Sequence, residues 1–399
     1  MSQKPELSLP VKLLASPLQD RSILDIAQPV LAAWEAATGV TLVPQEGFPR
    51  GPGLAMLLLT GGSEAKLLEA AAAVPGPLLI LTHDAHNSLP AGMEAAARLR
   101  EDGRTVKLVH LGDEQGRRRL VPLARALCLG QTLWGKRIGL IGGASPWLVA
   151  SSPKHEVLRK KLGVEVVELA LEEVLRRLPE EAPAAEGPGK GITEEERRMG
   201  PRVHMALKRL IEEQRLSAVS IACFGLLEHR LTACWALARL ADQGIPAGCE
   251  GDLTGLLVLM LAQELTGGPG FLANPADVDP KRERLILAHC TVPLSLVEDF
   301  RLRTHFESGL GLAIAGALRP GPYTLVRFGG PRLERTFIVE GTVLPERPGR
   351  EDLCRTQVAF KAPRGALAKL LSEPLGNHHV LIPGHHRAVL SAFHELYLA

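Results

Sequence analysis

Residues 53–82 read GLAMLLLTGGSEAKLLEAAAAVPGPLLILT, and the way they group decides the fold. An apolar run of strand length, Gly53 to Thr60, gives way at Gly61-Gly62-Ser63 to a segment of helical period, Glu64 to Ala73. Pro75-Gly76-Pro77 closes that segment, and a second apolar run, Leu78 to Thr82, follows. Short runs without polar alternation belong to strands buried on both faces, and a helix between two of them is the crossover of a parallel sheet.

The same rhythm extends outward. Helical segments Leu89 to Arg100 and Gly116 to Leu129 flank a strand at Thr105 to Leu111, and further strands fall at Arg137 to Ile141, Val164 to Leu169 and Ala218 to Phe224. Alternation of this kind predicts two α/β units in tandem. Before the strand at Ala218 to Phe224 the Pro/Gly-rich stretch Pro179 to Gly191 reads as a surface loop, and Thr193 with Glu196 forms a capping box that opens a helix. After about residue 270 the texture changes to Pro/Gly turns separating alternating runs, Tyr323 to Phe328, Thr336 to Leu344 and Leu353 to Phe360, which predicts a β-rich region. A strand at Val380 to Ile382 and an amphipathic helix from His386 to Tyr397 close the chain. The expected domains are 1–132 and 133–246, both α/β and Rossmann-like, and 247–399, β-rich.

Composition excludes several function classes. Hydrophobic residues make up 46% and charged residues 23% of the 399, a globular balance that rules out disordered and fibrous classes. The 46 basic and 44 acidic residues are well mixed, with no basic block to track a phosphate backbone, so no nucleic-acid partner is expected. Apolar runs are too short to span a membrane and the N-terminus lacks a basic region before an apolar stretch, so a cytoplasmic protein is expected. The six cysteines never take CxxC spacing and read as reduced core residues. Gly142-Gly143-Ala144-Ser145 follows a strand but lacks the GxGxxG and GK[ST] patterns, so no nucleotide cofactor is implied; Ser145 and Ser308 lie outside any GxSxG elbow.

The densest group of metal-capable polar residues at a turn is Ala247-Gly248-Cys249-Glu250-Gly251-Asp252, before the apolar helix Leu253 to Leu265. Alone, Asp252 reads as a helix N-cap. Four segments change that reading: GIPAGCEGDL (244–253), LAHCTVP (287–293), HFESG (305–309) and GNHHV (376–380), in this order, resemble the catalytic half of the L-fucose/L-arabinose isomerase family. Residues 60–64, 87–91 and 143–148 resemble segments of its shorter members, so the likeness covers most of the chain.

The resemblance implies two α/β domains followed by a β-barrel-like C-terminal domain, a homo-oligomer (trimer or hexamer), and a divalent ion, most simply Mn²⁺, held by a Glu, an Asp and a His. Carried over residue by residue, it makes Glu228, Asp252 and His378 the metal ligands, with the doubled His378-His379 leaving open which imidazole reaches the ion. The implied activity is aldose–ketose isomerisation of a free pentose or deoxyhexose through an enediolate. Elementary chemistry agrees: moving a carbonyl between C1 and C2 requires a base and a cation, the ion acting as Lewis acid and two carboxylates, Glu228 and Asp252, shuttling protons. Mixed oxygen and imidazole donors suit Mn²⁺ and admit Fe²⁺, Co²⁺ or Zn²⁺.

His289, His305, Glu307, Asn377 and His379 are candidate substrate contacts. His289 also reads as a hydrogen-bonded core histidine, and His305 with Glu307, two apart and on one face of a strand, as a structural ion pair. His83, His86, Asn87 and Ser88 lie where a strand meets a helix, the ligand side of an open α/β sheet. Arg301 and Arg303 read either as a solvated strand face or as contacts to an anionic group of a modified sugar. A noncatalytic sugar sensor on the same fold is the second reading.

Overall fold

The computed structural model describes residues 7–18, 22–189 and 191–399, which form a mixed α/β protein. Contacts divide the chain into two compact units: residues 1–135 with 161–163 and 388–399, and residues 136–160 with 164–387. The second α/β segment and the β-rich segment thus share one unit, and the last residues belong to the first.

In the first unit the elements are β1 (Leu7–Leu14), α1 (Ile23–Thr38), β2 (Val40–Pro44), β3 (Leu54–Leu58), α2 (Glu64–Ala72), β4 (Leu78–Thr82), α3 (Ser88–Glu101), β5 (Val106–His110) and α4 (Glu114–Leu133). The five strands make a parallel sheet in the order β2-β1-β3-β4-β5. Every residue of β3 and β4 is buried, as their unbroken apolar runs require. Strands β1 and β2 escaped the sequence reading because they are half-exposed and mixed in composition. The chain's last residues dock here. Tyr397 donates its hydroxyl toward the carbonyls of Pro52 and Leu127, at 3.3 and 3.1 Å, and its ring fills the space that any side chain at Gly130 would need.

The second unit opens with β6 (Arg137–Ile141), α5 (His155–Leu162), β7 (Glu165–Leu169), α6 (Glu172–Leu175), α7 (Glu194–Gln214), β8 (Ala218–Ile221), α8 (Cys234–Asp242), β9 (Ala247–Cys249) and α9 (Leu253–Thr266). Its four strands form a parallel sheet ordered β7-β6-β8-β9. The capping box at α7 is present: the Thr193 hydroxyl accepts from the Glu196 N–H while the Glu196 carboxylate accepts from the Thr193 N–H. There follow β10 (Phe271–Asp279), β11 (Arg284–His289), β12 (Val297–Arg303), β13 (Ala313–Leu318), β14 (Gly321–Gly329), β15 (Arg335–Val343), β16 (Thr356–Lys361), α10 (Ala366–Ser372) and β17 (His379–Pro383), after which α11 (Arg387–Phe393) belongs, from residue 388, to the first unit. Six of these strands close an antiparallel barrel, β10-β11-β16-β15-β14-β17, while β12 and β13 pair separately. Phe271, Leu287, Leu325, Val358, Phe360 and Leu381 pack in the hydrophobic core of this barrel region. Closure leaves no unpaired edge, which is how a sheet too small to be covered on both faces is stabilised.

Three local expectations are corrected. The strand expected over Ala218 to Phe224 ends at Ile221, and Cys223–His229 winds into a 3₁₀ helix. The closing helix breaks at Phe393 into a π-helical turn, His394–Leu398. The stretch Pro179 to Gly191, of which Lys190 lies outside the described residues, is more than a surface loop: Ala182 and Ala185 are buried, and the Pro188 carbonyl accepts from the Leu302 N–H at 2.7 Å. No helix among the described residues is long and apolar enough to cross a membrane.

Candidate functional site

The connection from β9 to α9 builds the site. Glu250 and Gly251 are consecutive left-handed residues, with φ of +62° and +71°. Gly251 must be glycine, because a Cβ there would lie 2.2 Å from the Gly143 carbonyl oxygen, and left-handed backbone disfavours other residues. The 143–145 turn after β6 clamps the same loop, the Ser145 N–H donating to the Glu250 carbonyl at 2.8 Å. This reversal turns the neighbouring carboxylates in different directions.

Asp252 takes the N-cap of α9. Its Oδ1 accepts from the Gly255 N–H at 2.6 Å, and its Oδ2 lies 2.8 Å from Arg327 Nη1 and 3.0 Å from His378 Nδ1. The residue is fully buried, and so is Arg327 on β14. Burial alone would raise the Asp252 carboxyl, yet the adjacent Arg327 guanidinium, with His378 and the Gly255 N–H, holds it at about 2. Arg327 also donates to the His378 carbonyl at 2.9 Å and the Ser151 hydroxyl at 2.7 Å, so it ties β14, the start of β17 and the 142–152 loop to one carboxylate.

Glu250 faces the other way. One carboxylate oxygen accepts from the Trp147 indole N–H at 2.6 Å, and the other lies 3.7 Å from His378 Nε2. Burial opposes ionisation of Glu250, but His378 and the Trp147 N–H hold its carboxyl below the usual range. His289, at the end of β11, completes the group: its Nδ1 lies 2.9 Å from the Thr291 hydroxyl, and its ring meets that of His378 edge-on at 5.3 Å. Burial, then the neighbouring His378, lowers His289 to about 4, so it is neutral at ordinary pH. Burial likewise works against a charge on His378, but Asp252 and Glu250 overcome it and raise the imidazole to about 9.

Among the described residues, Glu250, His289 and His378 are the group of acid, imidazole or thiol side chains able to hold a metal ion, with ligand atoms within 4.8 Å of one another and all three residues buried. The donor set fits a divalent ion of the Mn²⁺ to Zn²⁺ series. So does His378 Nε2, a buried nitrogen without a hydrogen-bond partner that points toward the Glu250 carboxylate. The carboxylate on the far nitrogen of His378, Asp252 on Nδ1, fixes the orientation of the ring as metal-binding imidazoles require.

This grouping differs from the ligand set that the resemblance implies. Glu228 stands exposed on the 3₁₀ turn that replaces the end of the expected strand, and it is not part of the group. Asp252 is at the site but fully engaged as cap, ion-pair partner and His378 support, so it too is not one of the three. Glu250, quoted in the sequence beside Asp252, joins the group that could hold an ion because of a left-handed backbone that spacing does not reveal. His289, expected as a substrate contact, is drawn into the group. The doubled histidine resolves as strand alternation predicts: His378 faces the trio, while His379 turns away to meet Phe337 edge-on at 5.6 Å. Burial, with Arg327 nearby, lowers His379 to about 3. Asn377 is exposed, and its carbonyl lies 3.1 Å from His379 Nδ1.

His305 and Glu307 lie on the turn after β12, not along a strand. His305 Nε2 is 3.1 Å from the Glu307 carboxylate, and its Nδ1 is 3.0 Å from the Ser308 hydroxyl. The His305 ring meets Phe224 edge-on at 5.5 Å, and Phe224 meets Trp147 at 4.8 Å. A continuous wall therefore runs from Glu250 through Trp147, Phe224 and His305 to Glu307. Glu307 is open, with about half of its side chain exposed, whereas Glu250 keeps 11%.

No family model matches the chain. Four curated proteins do, all sulfoquinovose isomerases. That of Alkalicoccus urumqiensis is 24% identical over 317 residues, 74% of this chain and 71% of that protein. That of Priestia aryabhattai is 24% identical over 267 residues, 62% and 60% of the two, and that of Clostridium sp. (strain MSTE9) 26% over 175 residues, 42% and 38%. The chain thus spans about three fifths of the Priestia protein's length. These relatives support a sugar isomerase. The buried trio could hold a metal ion beside the Trp147 and Phe224 rings.

Proposed function

We propose that the protein is a divalent-metal-dependent aldose–ketose isomerase working through an enediolate, with Glu250, His289 and His378 as the metal ligands. The observation that carries this reading is His378: a buried imidazole oriented through Nδ1 by Asp252, with an unpartnered Nε2 directed at Glu250. When bound, the ion, most simply Mn²⁺, supplies Lewis-acid polarisation and a template for the O1 and O2 oxygens.

The chain's own residues do the rest. Trp147 holds the second oxygen of Glu250, fixing the carboxylate plane, and Asp252 fixes the His378 ring. The expected pair of proton carriers, Glu228 and Asp252, gives way here to Glu307: it takes the proton from C2 and returns it to C1, steadied by His305. Its charge is felt at His289, and its exposure leaves it free to meet a substrate. The O2 hydroxyl proton passes to O1 in the same conversion, so two protons are relocated, the formula is unchanged and no redox cofactor is required.

The substrate we propose is a monosaccharide. The relatives' name draws the choice from an unmodified pentose or deoxyhexose toward a sugar with an anionic sulfo substituent. A homo-oligomer, on the family resemblance, and a cytoplasmic location, on the sequence pattern, remain part of the proposal. The test is turnover by chelated, then Mn²⁺-reconstituted protein on fucose, arabinose and sulfoquinovose, following ketose formation and deuterium uptake from solvent at C2. Metal-dependent exchange lost in Glu250→Gln is the expected result. Metal binding without exchange on any sugar would replace this reading with the sugar sensor.

A further inference from the structure

A second site lies in the same unit. The paired strands β12 and β13 and the segment 347–357 enclose a cavity of about 270 Å³ lined by five arginines, Arg301, Arg303, Arg347, Arg350 and Arg355, against two carboxylates. Three of the five are committed: Arg303 grips Glu351 through two nitrogens, Arg347 grips Asp299 in the same way, and Arg350 is shared between Asp277 and Asp352. Two are not. Arg301 is exposed and has no partner among the described residues. Arg355 has 11% of its side chain exposed, yet its only carboxylate among the described residues is Glu351 at 3.9 Å, which is already taken by Arg303.

A guanidinium removed from water without a close counter-ion is costly unless an anion completes it. Arg355 is held in place rather than left to swing outward: its Nε donates to the Thr304 carbonyl at 2.9 Å and its guanidinium lies over the Phe306 ring at 5.4 Å. This leaves its terminal nitrogens as a fixed planar fork, the arrangement that matches an oxyanion with two parallel hydrogen bonds. We propose that this cavity binds a tetrahedral oxyanion, a sulfonate or phosphate group, between Arg355 and Arg301. Because Arg355 is anchored on Thr304 and Phe306, the site shares the 304–310 turn with His305 and Glu307. The binding claim stands on these contacts and does not depend on turnover at the metal centre.

Calorimetric titration of the full chain with methanesulfonate and with inorganic phosphate, metal-free and Mn²⁺-loaded, tests it. We expect saturable binding of equal strength with and without the ion, weakened about tenfold or more in Arg301→Gln and Arg355→Gln. The exposed Arg332→Gln, the charge-matched control, leaves it unchanged. Should Arg355→Gln fail to fold, the exposed Arg301 carries the test. Absence of saturable binding, or equal weakening in Arg332→Gln, overturns the site. The same titration with a sulfonated hexose separates the two sources of the anion. Competition with methanesulfonate makes the cavity the seat of a substrate's charged tail; independent binding makes it a site for a free oxyanion. Failure of isomerase activity alone leaves the anion site intact.

Discussion

Metal binding and protonation should compete at His378. The imidazole is raised to about 9 because Asp252 and Glu250 both favour its charged form. An ion must displace the proton on Nε2, while the Nδ1 proton stays with Asp252. At pH 7 the group stands two units below its midpoint, so displacement weakens apparent affinity about a hundredfold relative to the deprotonated site. His289, at about 4, is already neutral, and Glu250, held below the usual range, is already ionised, so neither adds a proton near neutrality. The expectation is one proton released per Mn²⁺, and a dissociation constant falling about tenfold per pH unit between roughly pH 6.5 and 8.5, levelling near 9. Calorimetric titration in pairs of buffers with different ionisation enthalpies reads the proton directly. In Asp252→Asn the imidazole loses its main support and its midpoint falls, so release at pH 7 should shrink. A dissociation constant flat across this range, or no proton released by the native protein, would refute the coupling of His378 to the two carboxylates.

Three further outcomes are expected. Asp252→Ala leaves Arg327 buried without its partner and should cost about 3–5 kcal/mol of stability in urea denaturation; a loss below about 1 kcal/mol would show that the ion pair is not closed in solution. Because the Asp252 carboxyl is depressed from its ordinary 3.8 to about 2, its stabilisation is complete above the ordinary value and fades as pH falls toward 2, a trend that acid titration of native and Asp252→Asn proteins should separate. Glu307→Gln should lower kcat by about 10² to 10⁴ with Mn²⁺ affinity unchanged, whereas Glu228→Gln should alter neither, as its exposed position demands; the reverse pattern would restore Glu228 as proton carrier.

The parallel sheets were legible because strands buried on both faces leave unbroken apolar runs, as in Leu54–Leu58 and Leu78–Thr82. The closed barrel was legible as β-rich texture, but closure depends on pairings such as β10 with β17, between residues about a hundred positions apart, which no local pattern carries. At the site, the segment 247–252 and His378 stood out as polar residues in an apolar frame. What spacing did not disclose was direction: the left-handed Glu250 and Gly251 send one carboxylate toward His378 Nε2 and the next into the N-cap of α9. Glu228 lies outside the group for a related reason, since the strand expected to run to Phe224 stops at Ile221 and the turn that follows leaves the carboxylate exposed.

Arg327 left no mark in the sequence at all. It sits in a strand that reads as apolar on both sides, between Val326 and Phe328, and a fully buried guanidinium is the residue that periodicity is least able to foresee. A buried ion pair is weak evidence of stability, because removing two charges from water costs about as much as their attraction returns. The geometry gives Arg327 a different role. One guanidinium holds the Asp252 carboxylate, the His378 backbone and Ser151 together, so α9, the start of β17 and the 142–152 loop are registered on β14. Asp252 then presents Oδ2 to His378 in one orientation, and the imidazole can offer only Nε2 to the space beside Glu250 and His289. Replacing the pair with apolar residues of similar volume is therefore compatible with a folded barrel, and the loss should fall on metal affinity, where the direction of one nitrogen decides the outcome.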